Sequence, residues 1–161
     1  MRWIATVGGI GLLPKAPGTW GSAAALPLGY GLHVLGGPLL LVFATLLALL
    51  LGWYATKAEI EATGDTDPSH VVIDELVGQF IALWPLSIGL HMANVAPHVF
   101  PWPGWVGAFV LFRMFDIWKP GPIGWADRRH TAWGVMLDDV FAGIAAACVV
   151  TFAAGLSHGV F

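Results

Sequence analysis

Charged side chains are scarce in this sequence, and cysteine is almost absent. Only 11% of the 161 residues are Asp, Glu, Lys or Arg, whereas a soluble domain usually carries about 25%. Together with 57% hydrophobic residues, this shortage indicates an integral membrane protein, with one domain over residues 1–161. The single cysteine, Cys148, excludes a disulfide framework. The net charge of −3 gives no reason to expect nucleic acid as a partner.

The charged residues are confined to the start of the chain and to two blocks, residues 57–75 and 113–139. The stretches between and after these blocks have none, and a helical crossing of a bilayer takes about 20 residues. The pattern therefore predicts an all-α, polytopic membrane bundle of about four to five segments. The predicted segments are residues 21–35, 38–57, 71–91, 104–118 and 135–157, with a turn at residues 36–38.

In this arrangement the start of the chain and both charged blocks lie on one side of the membrane. All seven Lys and Arg residues are there, and the positive-inside rule makes that side cytoplasmic. The first residues lack the continuous apolar run of a signal peptide, so we expect them to belong to the folded protein.

Five carboxylates are expected at one depth on this side. Asp74 and Glu75 lie near the start of the third segment, Asp116 near the end of the fourth, and Asp138 and Asp139 near the start of the last. Partly buried acidic pairs are costly unless something neutralises them, and ionisable groups within membranes are usually functional. Oxygen donors select a hard cation, Mg²⁺ by default and Mn²⁺ as the alternative.

Other acidic residues have simpler interpretations. Glu59, Glu61 and Asp65 are expected to be a solvated loop, and Asp67 or Ser69 to cap the third segment.

Basic side chains accompany the acidic cluster. Arg113 and Lys119 flank Asp116, and Arg128 follows Asp127. Arginine binds phosphate through two hydrogen bonds, and lysine acts as a point charge. Carboxylates with a metal, beside such cations, suit a phosphate ester. The alternative is a structural salt-bridge network, and for the Asp127–Arg128 pair the two interpretations carry equal weight.

The stretch LLPKAPGTWGS, residues 12–22, lies on the same predicted side. Its prolines stiffen the chain, and its glycines permit close backbone approach. One interpretation is a helix entry in which Thr19 or Ser22 is the cap. The other is a cradle for a lipid phosphate, with Lys15 and Thr19 as contacts.

Three blocks together resemble the phosphatidylglycerophosphatase A family of bacterial membrane lipid phosphatases. They are LLPKAPGTWGS (residues 12–22), DPSHVVIDELVG (residues 67–78), and FRMFDIWKP (residues 112–120) followed by GVMLDDVFAG (residues 134–143). Their order and approximate spacing match the family over most of the chain. One departure is HTAWG, residues 130–134, where the family usually has a glycine pair.

The resemblance implies Mg²⁺-dependent removal of the terminal phosphate of phosphatidylglycerophosphate, a phospholipid, in the bacterial inner membrane, with the active site facing the cytoplasm. The residues expected to be catalytic are Asp74, Glu75, Asp116, Asp138 and Asp139. Those expected to bind the metal are Asp74, Glu75, Asp138 and Asp139. Those expected to bind the substrate are Lys15, Thr19, Arg113, Lys119 and Arg128.

Several alternatives stay open from the sequence. One is an ion-coupled transporter, and another is a different lipid-phosphate enzyme with the same acidic cluster. The nucleophile is also open: water, or a carboxylate that forms an acyl-phosphate. Association of several copies of the chain is neither required nor excluded.

Overall fold

The computed structural model describes residues 1–157, and within that range every regular element is helical. The elements are α1 (Arg2–Ala5), a 3₁₀ turn (Ile10–Leu12), α2 (Pro17–Thr63), α3 (Ile73–Met92), α4 (Trp102–Trp118), α5 (Pro122–Asp127) and α6 (Ala132–Ser157). The predicted all-α class is confirmed.

Helix α2 is a hairpin of two arms, residues 17–35 and 38–63. The reversal occurs at Gly36 and Gly37, whose backbone angles are not helical, and Gly37 has φ 63° and ψ −157°. Both arms of α2 meet the start of α3, because Gly18 packs against Glu75 and Gly52 packs against Ile73. The turn predicted at residues 36–38 is therefore confirmed.

In the part of the chain that the structure describes, three helices are long and apolar enough to cross a bilayer: Pro17–Thr63, Ile73–Met92 and Ala132–Ser157. The first of these supplies two antiparallel arms. Helix α4 has 17 residues, about 26 Å at the usual rise of about 1.5 Å per residue. That is slightly less than the hydrocarbon thickness of about 30 Å. Each of the five predicted segments thus coincides with an observed helix or arm.

Helix α3 forms the centre of the bundle, and it packs closely on α6. A Cβ added to Gly143 would lie 2.4 Å from the carbonyl oxygen of Gly78, and one added to Gly78 would lie 2.6 Å from the carbonyl oxygen of Asp139. Small residues allow membrane helices to approach this closely. The contact fixes the height of Asp139 relative to the first turns of α3.

The start of the chain packs onto the loop before α3. The Val72 N–H donates to the Ala5 carbonyl at 2.8 Å. Gly11 lies so close to His70 that an added Cβ would be 2.0 Å from the His70 carbonyl oxygen. These contacts place the start of α2 beside the start of α3.

Candidate active site

A cavity of about 270 Å³ lies at the end of the bundle where α2, α3 and α6 begin and α4 ends. Its wall includes eight of the residues expected from the sequence. They are Thr19, Asp74, Glu75, Arg113, Asp116, Lys119, Asp138 and Asp139. The five carboxylates predicted at one depth are therefore brought together around one space.

Three carboxylates form the tightest group. Asp74, Glu75 and Asp139 each place one oxygen within 4.8 Å of the other two. Oxygens on opposite sides of an Mg²⁺ ion bound at about 2.1 Å lie about 4.2 Å apart. In addition, Glu75 Oε2 and Asp139 Oδ1 are buried and have no hydrogen-bond partner among residues 1–157. The group therefore fits a small divalent cation by spacing, donor type and unused acceptors.

Asp138 is oriented differently from its neighbour Asp139. Adjacent residues of a helix point about 100° apart, and the Asp138 Oδ2 atom lies 2.7 Å from Lys119 Nζ. Asp138 still lines the cavity. The structure thus brings three of the four predicted metal ligands into one group and pairs the fourth with an ammonium.

Lys119 connects two carboxylates at the end of α4. Its Nζ donates to Asp138 and to Asp127. Burial by itself lowers the pKa of Lys119, but the hydrogen bonds and charges of Asp127 and Asp138 outweigh burial and raise that pKa above its ordinary value. Because this pKa is raised, the Lys119 ammonium stays charged at the edge of the cavity. The backbone of Lys119 is left-handed, with φ 49°, an uncommon conformation for a residue with a Cβ.

Arg113 is held in place by contacts from two helices. Its Nη1 lies 2.5 Å from Asp116 Oδ2, one turn along α4. The same nitrogen donates to Ser22 Oγ at 3.4 Å, and that hydroxyl donates to the Gly18 carbonyl at 2.8 Å. The guanidinium is thus tied to the first turns of α2, and Arg113 lines the cavity.

Two of the predicted substrate contacts lie outside this wall. Lys15 and Arg128 are both exposed, and neither lines the cavity. The Arg128 side chain lies instead against Gly124 of α5. A Cβ added to Gly124 would be 3.3 Å from Arg128 Nη1.

Some sequence interpretations of capping and solvation were wrong. Helix α3 begins at Ile73 with Val72 as its N-cap and no side-chain cap, so neither Asp67 nor Ser69 caps it. Those two residues and Pro68 instead line the cavity. Helix α2 likewise begins at Pro17 with Ala16 as its N-cap, which excludes Thr19 and Ser22 as caps.

Glu59 is also different from the solvated residue expected. It is 8% exposed, and its Oε2 lies 2.9 Å from His70 Nε2. The pair braces the loop that carries Pro68 and Ser69 into the cavity wall.

The sequence analysis did not place Asp67, Pro68 and Ser69 in the cavity wall. The signal that could have indicated their position was the Asp-Pro-Ser turn, which lies close before the acidic pair at the start of α3.

The family model described as Phosphatidylglycerophosphatase A matches residues 3–154 of the chain. The chain belongs to the phosphatidylglycerophosphatase A family. The match includes every residue of the cavity wall, so the acidic and basic side chains described above lie within the part of the chain that the family model covers. The chain is accordingly a phosphatase, an enzyme of the hydrolase class.

Curated relatives agree with this assignment. The chain is 40% identical over 143 residues to phosphatidylglycerophosphatase A of Haemophilus influenzae, covering 88% of this chain and 81% of the relative. It is 36% identical over 146 residues to the Escherichia coli protein of the same name, covering 89% and 77%.

A Bacteroides thetaiotaomicron protein provisionally named a phosphatidylinositol-3-phosphatase is also 36% identical, over 147 residues, covering 88% and 85%. No solved structure matches the chain significantly.

Proposed function

We propose that this protein removes the terminal phosphate of phosphatidylglycerophosphate in an Mg²⁺-dependent reaction, giving phosphatidylglycerol and inorganic phosphate. The observation that carries the proposal is the group of Asp74, Glu75 and Asp139 oxygens within 4.8 Å of one another. This group shares its cavity with Arg113 and Lys119. The family and its two relatives of that name supply the substrate class.

The proposed chemistry divides between anionic and cationic parts of the wall. Asp74, Glu75 and Asp139 would hold the cation, which would supply Lewis acidity to a phosphoryl oxygen and to an attacking water. Arg113 and Lys119 bind the remaining phosphoryl oxygens and balance the charge that develops on them. Asp116 holds the Arg113 guanidinium, and Asp138 holds the Lys119 ammonium, so both cations are oriented before substrate arrives.

The membrane setting follows from the outer surface of the bundle. Leu39, Phe43 and Leu46 on the second arm of α2 are all more than half exposed, as expected for side chains that face lipid. A cavity of about 270 Å³ admits a phosphoglycerol headgroup. The acyl chains stay in the bilayer beside the helices, and the phosphate enters the site from the interface.

We further propose that the cavity faces the cytoplasm of a bacterial inner membrane. The support is the distribution of Lys and Arg, which occur only at the start of the chain and in the two blocks that form the cavity end of the bundle. Positively charged loops are retained on the cytoplasmic side.

The test measures phosphate release from phosphatidylglycerophosphate in mixed micelles by the purified protein, with Mg²⁺ and after EDTA treatment. We expect release with Mg²⁺, no release with EDTA, and recovery when Mg²⁺ is restored. Phosphatidylinositol 3-phosphate is the comparison substrate, because one relative carries that name. Undiminished release after complete metal removal would contradict the metal requirement, and faster release from the inositol lipid would contradict the substrate.

A further inference from the structure

Gln79 is a buried polar residue that the site described above does not use. It is 0% exposed, and neither its Nε2 nor its Oε1 atom has a hydrogen-bond partner among residues 1–157. Burying an amide without partners is costly, and within a membrane no bulk water relieves that cost. A residue such as Leu or Met would fill this position in α3 without that cost, so the amide requires an explanation.

The neighbours of Gln79 on α3 place it against the first arm of α2. Glu75 lies one turn before it and Leu83 one turn after it, on the same side of the helix. Glu75 meets Gly18 of that arm, and Leu83 meets Gly29. Gln79 therefore occupies the same helix–helix boundary, one turn deeper in the bundle than the acidic group.

The same side of α3 also faces α4. Leu86 packs on Gly104 of α4, where an added Cβ would lie 2.9 Å from Leu86 Cδ1. Near the other end of α4, Arg113 reaches the region of Glu75, because a Cβ on Gly18 would lie within 3.4 Å of Arg113 Nη1 and 2.0 Å of Glu75 Oε1. Gln79 thus lies in a seam between α2, α3 and α4, beneath Arg113 and Glu75.

Two further unpaired atoms complement the carboxamide. Within residues 1–157, Glu75 Oε2 is a buried acceptor without a partner, and Arg113 Nε is a buried donor without one. The carboxamide of Gln79 offers both a donor and an acceptor. A buried water typically makes about three hydrogen bonds to such groups. A water that donates to Glu75 Oε2, accepts from Arg113 Nε and bonds one end of the Gln79 carboxamide would give each of the three residues a partner.

We infer that Gln79 is a positioning residue: its carboxamide binds a buried water that hydrogen-bonds to Glu75 and Arg113. This inference rests on the proposed phosphatase function. Glu75 is thereby fixed for cation binding and Arg113 for phosphate binding, although Gln79 touches neither ligand. Partners in a second layer around a metal site typically change metal affinity by about 10–100-fold.

The test variant is Gln79→Met, which keeps the approximate volume and removes the amide. We expect the Mg²⁺ concentration for half-maximal phosphate release to rise about tenfold or more. We also expect Mg²⁺ to raise the Tm of the detergent-solubilised protein less than it does in the wild type. The Tm without Mg²⁺ should stay the same or rise, because a buried amide without protein partners has been removed. Gln79→Leu repeats the test if the Met variant is not recovered folded.

Ser87→Ala is the matched control on the same helix. Ser87 is also 0% exposed, but its Oγ lies 2.8 Å from His33 Nδ1. Loss of this hydrogen bond should lower the Tm and leave the Mg²⁺ dependence of phosphate release unchanged.

The role of Gln79 alone would be overturned if Gln79→Met and Gln79→Leu show the same Mg²⁺ dependence as the wild type. This comparison applies to both phosphate release and the Tm, and it requires that the wild type depends on Mg²⁺ in both. Absence of Mg²⁺-dependent release in the wild type would overturn the proposed function itself.

Discussion

Gly18, in the first turn of α2, lies directly against the carboxylate of Glu75 in α3. A Cβ built on Gly18 would be 2.0 Å from Glu75 Oε1 and 3.0 Å from Glu75 Cδ. Only a residue without a side chain permits this approach. Residues 16–19, where the proline–glycine stretch enters α2, therefore form part of the cavity wall, and Glu75 is fixed between α2 and α4.

The first prediction concerns this contact. Gly18→Ala should displace the Glu75 carboxylate, because the added methyl group cannot occupy the same space. Since misplacement of a catalytic group by about 1 Å typically costs about 100-fold in rate, we expect phosphate release to fall by about two orders of magnitude. The measurement is the initial rate at saturating Mg²⁺.

Gly31→Ala is the control for Gly18→Ala. Gly31 lies on the same arm of α2, and a Cβ there would meet no atom of residues 1–157 within 4 Å. Alanine is the better helix former, by up to about 1 kcal/mol, so this variant should keep the wild-type rate. A wild-type rate in Gly18→Ala would show that Glu75 does not need its observed position.

The second prediction concerns Lys119. Lys119→Met removes the ammonium that pairs with Asp138 at 2.7 Å, and it leaves that buried carboxylate without its cation. Phosphate binding should weaken as well, so we expect kcat/KM to fall by at least about tenfold, as loss of a charged hydrogen bond of about 1.5–3 kcal/mol implies. Steady-state kinetics with the lipid substrate provide the measurement.

Lys57→Met is the matched control for charge removal. Lys57 makes an exposed pair with Glu61 at 3.9 Å, and such surface pairs contribute about 0–1 kcal/mol. Its kinetics should equal those of the wild type. Equal losses in the two variants would mean that Lys119 acts only through general surface charge.

The third prediction concerns the packing of α3 on α6. Gly143→Ala would place a Cβ 2.4 Å from the Gly78 carbonyl oxygen, and backbone atoms cannot move away as a flexible side chain would. Overpacking of this kind costs about 1–3 kcal/mol. We expect the Tm in detergent to fall by several degrees, whereas Gly107→Ala, where a Cβ meets nothing within 4 Å, should not lower it. An unchanged Tm in Gly143→Ala would contradict the close helix contact.

The acidic group was predictable from the sequence because charge in this chain is so sparse. Asp74 and Asp139 interrupt long apolar stretches, and both lie near the start of a membrane segment on the same side. Because the length of a membrane helix must match the membrane thickness, the depth of these two carboxylates in the membrane can vary only a little. The turn at Gly36 and Gly37 was predictable for a similar reason, since residues 16–56 carry no charged side chain and are longer than the about 20 residues that one crossing takes.

The details that depend on side-chain direction were not predictable. Nothing in the sequence distinguishes Asp138 from Asp139, and only the rotation of α6 directs Asp138 to Lys119. Lys15 was expected at the phosphate because it lies in the proline–glycine stretch, yet the wall is formed by the residues that follow it, 16–19, and the lysine is exposed. Glu59 looked solvated in a polar block, but tertiary contact with His70 buries it.

The most direct test of the metal-binding active site compares Asp139→Asn with the surface control Glu61→Gln. Asp139 is 3% exposed and belongs to the three-carboxylate group, whereas the Glu61 side chain is 68% exposed. The measurement is phosphate release from phosphatidylglycerophosphate over a range of Mg²⁺ concentrations, with Tm followed in the same titration. Asp139→Asn should lose both phosphate release and stabilisation by Mg²⁺, while Glu61→Gln should keep both. Wild-type release and wild-type Mg²⁺ response in Asp139→Asn would contradict the assignment of this cluster as the metal-binding active site.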